Sequence, residues 1–215
     1  MTHLSERPLP SGWTTVELGE LCDVQSGPGH LTSPASRGAS GIPLLRPMNI
    51  GYRGQIVPTD LTFIPQEAAA KIAPYRLSPG DIVCARTGDP GRSALITAAE
   101  EGWLFSGNLL RLRLHDPGRQ RYLLHFLGSP LARKWFEASS SRSVGIPSVT
   151  VATLLRFPVN IPPPEEEAGI SAVLEGLAEK IAVHEEIARV TTDLRNLLSP
   201  LLLTGAMPAG REERS

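Results

Sequence analysis

Arginine is the residue type in this chain with the clearest capacity for binding chemistry. The first 160 residues carry 16 basic and 12 acidic side chains, and 14 of the 16 basic ones are arginines. A guanidinium can form paired hydrogen bonds with a phosphate or with guanine. The alternative is an ordinary solvated surface, because the net charge of this part is only +4 and that of the whole chain is −1. Charge alone leaves both interpretations open.

The sequence contains no recognisable catalytic motif. The glycine-rich segments 27–29 and 88–92 match neither GxxxxGK[ST] nor GxGxxG, so we interpret them as turns. No GxSxG elbow or adenine-methyltransferase motif is found, and the five histidines lack metal-site spacing. Cys22 and Cys84 are expected to be buried thiols in a reducing compartment, without structural zinc. With neither a signal peptide nor a membrane-spanning segment in the sequence, we expect a cytoplasmic protein.

Residues 1–161 combine short apolar runs with many turns, and the chain has 20 glycines and 20 prolines. The pattern predicts an α+β fold, with a compact mixed α/β domain built on an irregular sheet. Ser78–Asp81 predicts a turn leading into a strand. The predicted strands are Val83–Arg86, Ala94–Ala98, Leu109–Leu114 and, at a sheet edge, Phe157–Ile161. The predicted helices are Pro65–Lys71, with Pro65 as first residue, Arg119–Leu127 and Leu131–Ala138.

Residues 162–205 predict one long helix. Pro164 suits a first helical position, and Glu165–Glu167 place carboxylates at the positive end of the helix dipole. Apolar residues then recur in steps of three or four, with one step of six. They are Ile170, Leu174, Leu177, Ile181, Ile187, Val190, Leu194, Leu197 and Leu201. Pro200 is expected to bend or break the last turn, and residues 206–215 to form a disordered tail.

A helix of about 50 Å with an apolar stripe needs a second helix to cover it, which predicts a coiled coil. The alternative is that the stripe packs along its own domain. Glu185 and Arg189 lie four residues apart and are expected to form an ion pair on the exposed side.

An ordered set of motifs extends through most of the chain. The motifs are Leu9–Trp13 (LPSGW), Val16–Leu21 (VELGEL), Gly41–Ile50 (GIPLLRPMNI), Leu77–Gly88 (LSPGDIVCARTG), Ser148–Thr150 (SVT) and Phe157–Glu167 (FPVNIPPPEEE). The set resembles the target-recognition domain and following long helix of type I restriction–modification specificity subunits, over roughly residues 9–205. The family usually has Gln where this chain has Glu167, a position we expect to be exposed. It also usually has two recognition domains and two long helices in one chain, so this chain is similar to the half-length members.

The resemblance implies a non-catalytic subunit that reads double-stranded DNA. Two copies would form a homodimer through their helices, which act as a spacer, and would read two inverted half-sites. A DNA adenine methyltransferase subunit, carrying S-adenosylmethionine, is the implied partner, with a motor-nuclease subunit joining for cleavage. The chain itself would hold no cofactor or metal. The predicted dimer interface consists of Ile170, Leu174, Leu177, Ile181, Ile187, Leu194 and Leu201.

Arginine can read guanine in the major groove and asparagine can read adenine. The predicted DNA-binding residues are Arg46, Asn49, Arg53, Arg86, Arg92, Ser141, Arg142 and Ser143. Structural roles are the alternative: Arg86 as a brace within its motif and Arg92 as a cap on a turn. Trp13 and Trp103 are expected to be core anchors rather than base-stacking platforms.

Two other functions stay open at this point. The first is a coiled-coil assembly module that binds protein rather than DNA. The second is a hydrolase with an unrecognised site at Asp81, Arg86 and Asp89.

Overall fold

A computed structural model describes residues 8–29, 36–37, 40–143 and 145–206, apart from the side chains of residues 36, 37, 142 and 143. The chain divides into two compact units, Met1–Ser171 and Ala172–Ser215. Most of the predicted disordered tail, residues 207–215, lies outside the described residues.

The first unit contains the strands and the short helices, and the long helix begins there. The strands are β1 (Thr14–Glu17), β2 (Cys22–Ser26), β3 (Ser36–Arg37), β4 (Ile42–Leu45), β5 (Thr62–Ile64), β6 (Ile82–Ala85), β7 (Ser93–Leu95), β8 (Leu104–Phe105), β9 (Leu109–Leu114), β10 (Ser141–Ser143), β11 (Ile146–Ser148) and β12 (Pro158–Ile161). The α-helices are α1 (Leu18–Leu21), α2 (Gln66–Lys71), α3 (Gln120–Leu127), α4 (Pro130–Ser139), α5 (Val151–Leu155) and α6 (Pro164–Leu203).

Two four-stranded sheets form the framework. The first is antiparallel in the order β2-β9-β6-β7, and the second has the order β3-β5-β4-β8 with β4 and β8 parallel. β1 pairs with β12, and β10 pairs with β11 in a hairpin. The structure confirms the α+β class with a long C-terminal helix.

The two faces of β6 belong to different parts of the core. Ile82 and Cys84 pack in the cluster that includes residues of helices α3, α4 and α5. Val83 and Ala85 pack in a second cluster with Phe105 of the other sheet. Because both faces of β6 are buried, its residues are apolar throughout and do not alternate between apolar and polar.

The predicted strand Leu109–Leu114 has the predicted bounds, and the others differ by a few residues at their ends. Pro65 precedes α2 as its N-cap instead of being its first helical residue. Trp103 is half-buried against the second core cluster. Trp13 is also half-buried, and its indole N–H donates to Glu166 at 3.0 Å.

Both cysteines are free and buried, as predicted. Burial raises the pKa of the Cys22 thiol to about 12, with a smaller contribution from Asp23. Burial also raises the pKa of Cys84 to about 11, against the lowering effect of a hydrogen bond with Ser93. A thiolate is the reactive form, so both groups are unreactive in the folded chain.

Helix α6 begins at Pro164, as predicted, and has 40 residues, so it is about 60 Å long. Pro200 does not break the last turn, because α6 continues through it to Leu203. The bend, which was the other expected outcome, stays a prediction. Pro200 lacks a backbone N–H and so removes one helical hydrogen bond, and only three helical residues follow it. Gly205 follows with φ of 70°, the left-handed conformation common after a helix C-terminus. Among the described residues, no helix is both long and apolar enough for a membrane span.

The apolar residues of α6 do not form one stripe. The step of six from Ile181 to Ile187 turns the helix by about 600°, which moves the next residue about 240° around the axis. Two sets result, each with alternating steps of four and three. The first face comprises Ile170, Leu174, Leu177 and Ile181; the second face comprises Val183, Ile187, Val190, Leu194, Leu197 and Leu201.

A charged face separates these two apolar faces. Arg189 donates two hydrogen bonds to Glu186, at 2.6 and 2.8 Å, and one to Asp193 at 2.8 Å. These bonds raise the pKa of Arg189 and lower that of Glu186. Arg189 therefore forms ion pairs with Glu186, three residues before it, and with Asp193, four residues after it.

Candidate nucleic-acid interface

The segment after β4 carries three of the predicted DNA-binding residues, and they have different environments. Asn49 ends a short 3₁₀ turn and is fully buried. Its side-chain oxygen accepts from the Arg46 backbone N–H at 3.1 Å, and its amide nitrogen donates to the carbonyls of Val57 and Thr59. Since these bonds occupy the amide and no surface is left, Asn49 braces the segment in this structure and does not face a ligand.

A tight turn presents the other end of this segment. Gly54 N–H donates to the Gly51 carbonyl at 3.4 Å, which leaves Tyr52 and Arg53 at the two central positions. Gly54 has φ of 77°, a conformation that glycine adopts without strain. Both central side chains are exposed. The turn therefore displays an aromatic ring and a guanidinium side by side.

The loop between β6 and β7, residues 86–92, supplies two more predicted arginines. Arg86 is half-buried and donates to the Ser26 hydroxyl at 3.3 Å. Arg92 donates to the Pro47 carbonyl at 2.8 Å, and its guanidinium lies 5.0 Å from the Tyr52 ring centroid. Both side chains thus contribute to holding the loop, Arg86 through β2 and Arg92 through the segment after β4 rather than as a cap on its own turn.

The same loop joins the β10–β11 hairpin. Gly88 N–H donates to the Pro147 carbonyl at 3.1 Å, and Thr87 forms an antiparallel bridge with Ser148. The hairpin carries the predicted residues Ser141, Arg142 and Ser143. The Ser141 hydroxyl is exposed and lies 3.1 Å from that of Ser148. The side chains of Arg142 and Ser143 lie outside the described residues.

Three segments therefore lie together: residues 46–54, loop 86–92 and the hairpin 141–148. We call them the loop surface. Arg46 completes it, with one guanidinium nitrogen 2.6 Å from the Asp60 carbonyl. Arg46, Arg86 and Arg92 are each fixed by a side-chain hydrogen bond at one terminal nitrogen. A guanidinium has five donors, so one such bond uses only part of its capacity. The Nε atom of each of the three is buried without a hydrogen bond among the described residues.

Asp89 moderates the charge at the centre of the loop surface. One carboxylate oxygen lies 3.8 Å from Arg92 Nε, and the other lies 3.8 Å from Arg133. The Asp89 carboxylate is therefore shared between Arg92 of the loop surface and Arg133 of α4.

The proposed hydrolase site is not assembled. Asp81 and Arg86 flank opposite ends of β6, about 16 Å apart at 3.3 Å per residue. The Asp81 carboxylate is buried, accepts from the Ser78 backbone N–H, and binds Arg113 through two bonds of 2.7 Å. Asp81 closes the predicted Ser78–Asp81 turn and holds β9, which is a structural role. No group of three His, Cys, Asp or Glu side chains suited to a metal ion is found in the described part of the chain.

Sequence reasoning missed three exposed apolar residues on the loop surface. They are Met48, Tyr52 and Ile146, with exposed fractions of 51%, 82% and 57%. The signal was present in the segment Gly51-Tyr52-Arg53-Gly54, where an aromatic residue stands between turn-forming glycines and beside an arginine.

On α6, the predicted interface residues fall into two environments. Ile170 is half-buried and packs against the first core cluster. The other predicted residues are exposed, between 38% for Leu174 and 55% for Ile187. Ile170 thus contributes to its own unit, while the others present apolar surface.

Comparisons with known proteins agree with this architecture. The family model of the type I restriction modification DNA specificity domain matches residues 10–190. The type I restriction enzyme MjaVIII specificity subunit of Methanocaldococcus jannaschii is 22% identical over 204 residues, which cover 92% of this chain and 47% of that protein. This chain therefore spans about half the length of that curated relative.

Two solved structures share the fold. The HsdS subunit from Thermoanaerobacter tengcongensis has a TM-score of 0.61 at 23% identity, over 85% of this chain and 41% of that chain. The S subunit of a type I restriction-modification system from M. genitalium has a TM-score of 0.61 at 14% identity, over 95% of this chain and 49% of that one. With the family model covering most of the chain, this protein belongs to the type I restriction modification DNA specificity domain family.

Proposed function

We propose that this chain is the DNA-reading subunit of a type I restriction–modification system and is not itself a catalyst. The observation that carries the proposal is the loop surface, whose contacting segments carry Arg46, Arg53, Arg86 and Arg92 in a member of a DNA-specificity family. Their guanidinium groups suit phosphate and guanine contacts. Asn49 is left out of the reading set because it is buried.

We further propose that two copies pair through α6 and read two inverted half-sites separated by unread base pairs. The second face supports self-association: its six residues, Val183 to Leu201, keep alternating steps of four and three, the spacing of a coiled-coil seam. A two-fold dimer places two identical readers at a fixed separation.

This proposal departs from the predicted dimer interface, because it leaves Leu174, Leu177 and Ile181 of the first face exposed for another helix. We propose that a DNA adenine methyltransferase subunit, which brings S-adenosylmethionine, binds there. A motor-nuclease subunit would join the assembly for cleavage.

The test is to copurify the chain with the methyltransferase encoded beside it and to map methylated adenines in the host genome. We expect an inverted, gapped motif that disappears when this gene is deleted. Unchanged methylation after deletion would refute the proposal. An assembly that purifies with a partner but binds DNA without sequence preference would favour the protein-binding module instead.

A further inference from the structure

The exposed apolar residues of the first unit are not scattered. Among its described residues, the large hydrophobic side chains that are exposed are Met48, Tyr52 and Ile146. All three lie on the loop surface, next to the predicted DNA-binding residues. Single exposed apolar residues are common on proteins, but their restriction to one cationic surface indicates a contact role.

Tyr52 is the most exposed of the three and the most firmly presented. Its turn is braced by the Ile50–Ile56 bridge, by Gly51 N–H donating to the Gln55 carbonyl at 2.8 Å, and by Leu95 N–H donating to the Gly54 carbonyl at 3.2 Å. Such bracing limits the backbone entropy that is lost when the turn meets a ligand.

One face of the Tyr52 ring is covered. The Arg92 guanidinium lies 5.0 Å from the ring centroid, within cation–π range, and is itself fixed to the Pro47 carbonyl. The ring is therefore oriented, yet 82% of the residue stays exposed. The oriented, uncharged ring can contact an apolar group of a ligand while the neighbouring Arg53 binds negative charge on the same ligand.

We propose that Tyr52 is a specificity-determining residue that contacts the methyl group of a thymine in the major groove. This inference rests on the proposed DNA-reading function. The C5-methyl of thymine is the apolar group that base pairs present in that groove, and arginine neighbours would bind the surrounding phosphates and guanines.

The test uses the full chain and a library of random duplexes, from which the wild-type target is selected. Each thymine of that target is then replaced singly by deoxyuridine, which lacks the methyl group. We expect one replacement per half-site to weaken wild-type binding by about fourfold, the factor for one buried methyl-sized group. Tyr52→Ala should bind the original target more weakly and lose its response to that replacement.

Tyr52→Phe is the matched control: it keeps the ring and should keep the fourfold response. Because Tyr52 is exposed, both variants should fold as the wild type does, which circular dichroism checks. A Tyr52→Ala variant that responds to deoxyuridine as the wild type does, or a selected target without thymine in its half-sites, would overturn the inference alone. A wild-type chain without sequence preference would overturn the proposed function as well.

Discussion

Arg53 and Arg156 allow the role of a single guanidinium on the loop surface to be measured. Both are exposed, but Arg156 follows α5 and is not part of the loop surface. We expect Arg53→Ala to weaken binding to the selected target by about 1–3 kcal/mol if Arg53 reads a base, or to reduce the salt dependence by about one unit of slope if it binds a phosphate. Arg156→Ala removes the same charge and should do neither. Fluorescence anisotropy over a salt series distinguishes these results, and equal losses in the two variants would argue for a general charge effect.

Glu167 gives a pH-dependent prediction. It was expected to be exposed, but it is buried, with Arg119 at 3.7 Å and one carboxylate oxygen without a hydrogen bond among the described residues. Burial raises its pKa above the ordinary value of 4.5; Arg119 opposes this shift and Asp116 adds to it. A raised folded-state pKa means that the folded chain binds the proton on Glu167 more tightly than the unfolded chain does. The stabilisation from this proton is fully present below the unfolded-state pKa of Glu167, and it is lost as pH rises through the folded-state pKa.

Glu167→Gln removes this charge and keeps the shape, and the family usually has Gln here. We therefore expect the variant to have a higher Tm than the wild type at about pH 7.5 and a similar Tm at about pH 4. Glu166→Gln is the control, because Glu166 is exposed and an amide oxygen can still accept from Trp13. Thermal unfolding followed by circular dichroism measures both. A gain that is the same at the two pH values would contradict the assigned cause.

For single residues, the sequence predicted which residue types lie on the loop surface better than it predicted what each residue does. The arginines of the loop surface were among the predicted residues because the binding capacity of a guanidinium follows from the residue type alone. The bonds from the Asn49 amide to Val57 and Thr59 were not predicted, because they depend on the path of the following loop. The pairing of Asp81 with Arg113 was not predicted either, because the two residues are 32 positions apart. Tyr52 was missed because an isolated aromatic residue is more often part of a core.

Loop 86–92 is the element that joins the other parts of the loop surface, and two of its glycines differ in an informative way. Gly88 and Gly91 have φ of 83° and 95°, so a side chain is strained at either position. A Cβ at Gly88 meets no atom within 4 Å, whereas one at Gly91 would lie 2.3 Å from the Phe136 ring. Phe136 is buried in the first core cluster and cannot move freely.

We expect Gly88→Ala to cost about 1–2 kcal/mol of unfolding free energy, from backbone strain alone. Gly91→Ala should cost clearly more, because overpacking of the core adds to the same strain. Urea unfolding measures both values. Equal losses would show that the loop moves away from Phe136 without cost, and that it is less firmly held than its hydrogen bonds indicate.

Among the elements that the structure describes, four of the six α-helices and four of the twelve strands were predicted from local signals. The Ser78–Asp81 turn, the strand Leu109–Leu114 and the start of α6 each follow from residue types within a few positions. The strands β1 to β5 and β8 were not identified, since they have two to five residues each and pair with segments distant in sequence. The hairpin strands β10 and β11 were also missed, because each has only three residues and neither shows an apolar alternation.

For the whole molecule, the arrangement of faces on α6 decides what the chain can assemble with. A single stripe would allow one partner helix, but two apolar faces separated by the charged face of Glu186, Arg189 and Asp193 allow two. The count of apolar residues in the sequence did not reveal this difference. It depends on one step of six residues and on the 100° rotation per residue of an α-helix.

We therefore expect paired aspartate substitutions on the two faces to have separate effects. Val190→Asp with Leu194→Asp places charges on the second face and should yield monomers, because a buried unpaired carboxylate at a coiled-coil seam costs several kcal/mol. Leu177→Asp with Ile181→Asp should keep the dimer and lose the methyltransferase. Ala182→Asp with Asn196→Asp, on the charged side, should leave both assemblies intact.

Analytical ultracentrifugation of the chain alone and copurification with the methyltransferase measure the two effects. If both apolar-face variants gave monomers, the helix would use one continuous interface, and the assignment of separate partners to its faces would be wrong.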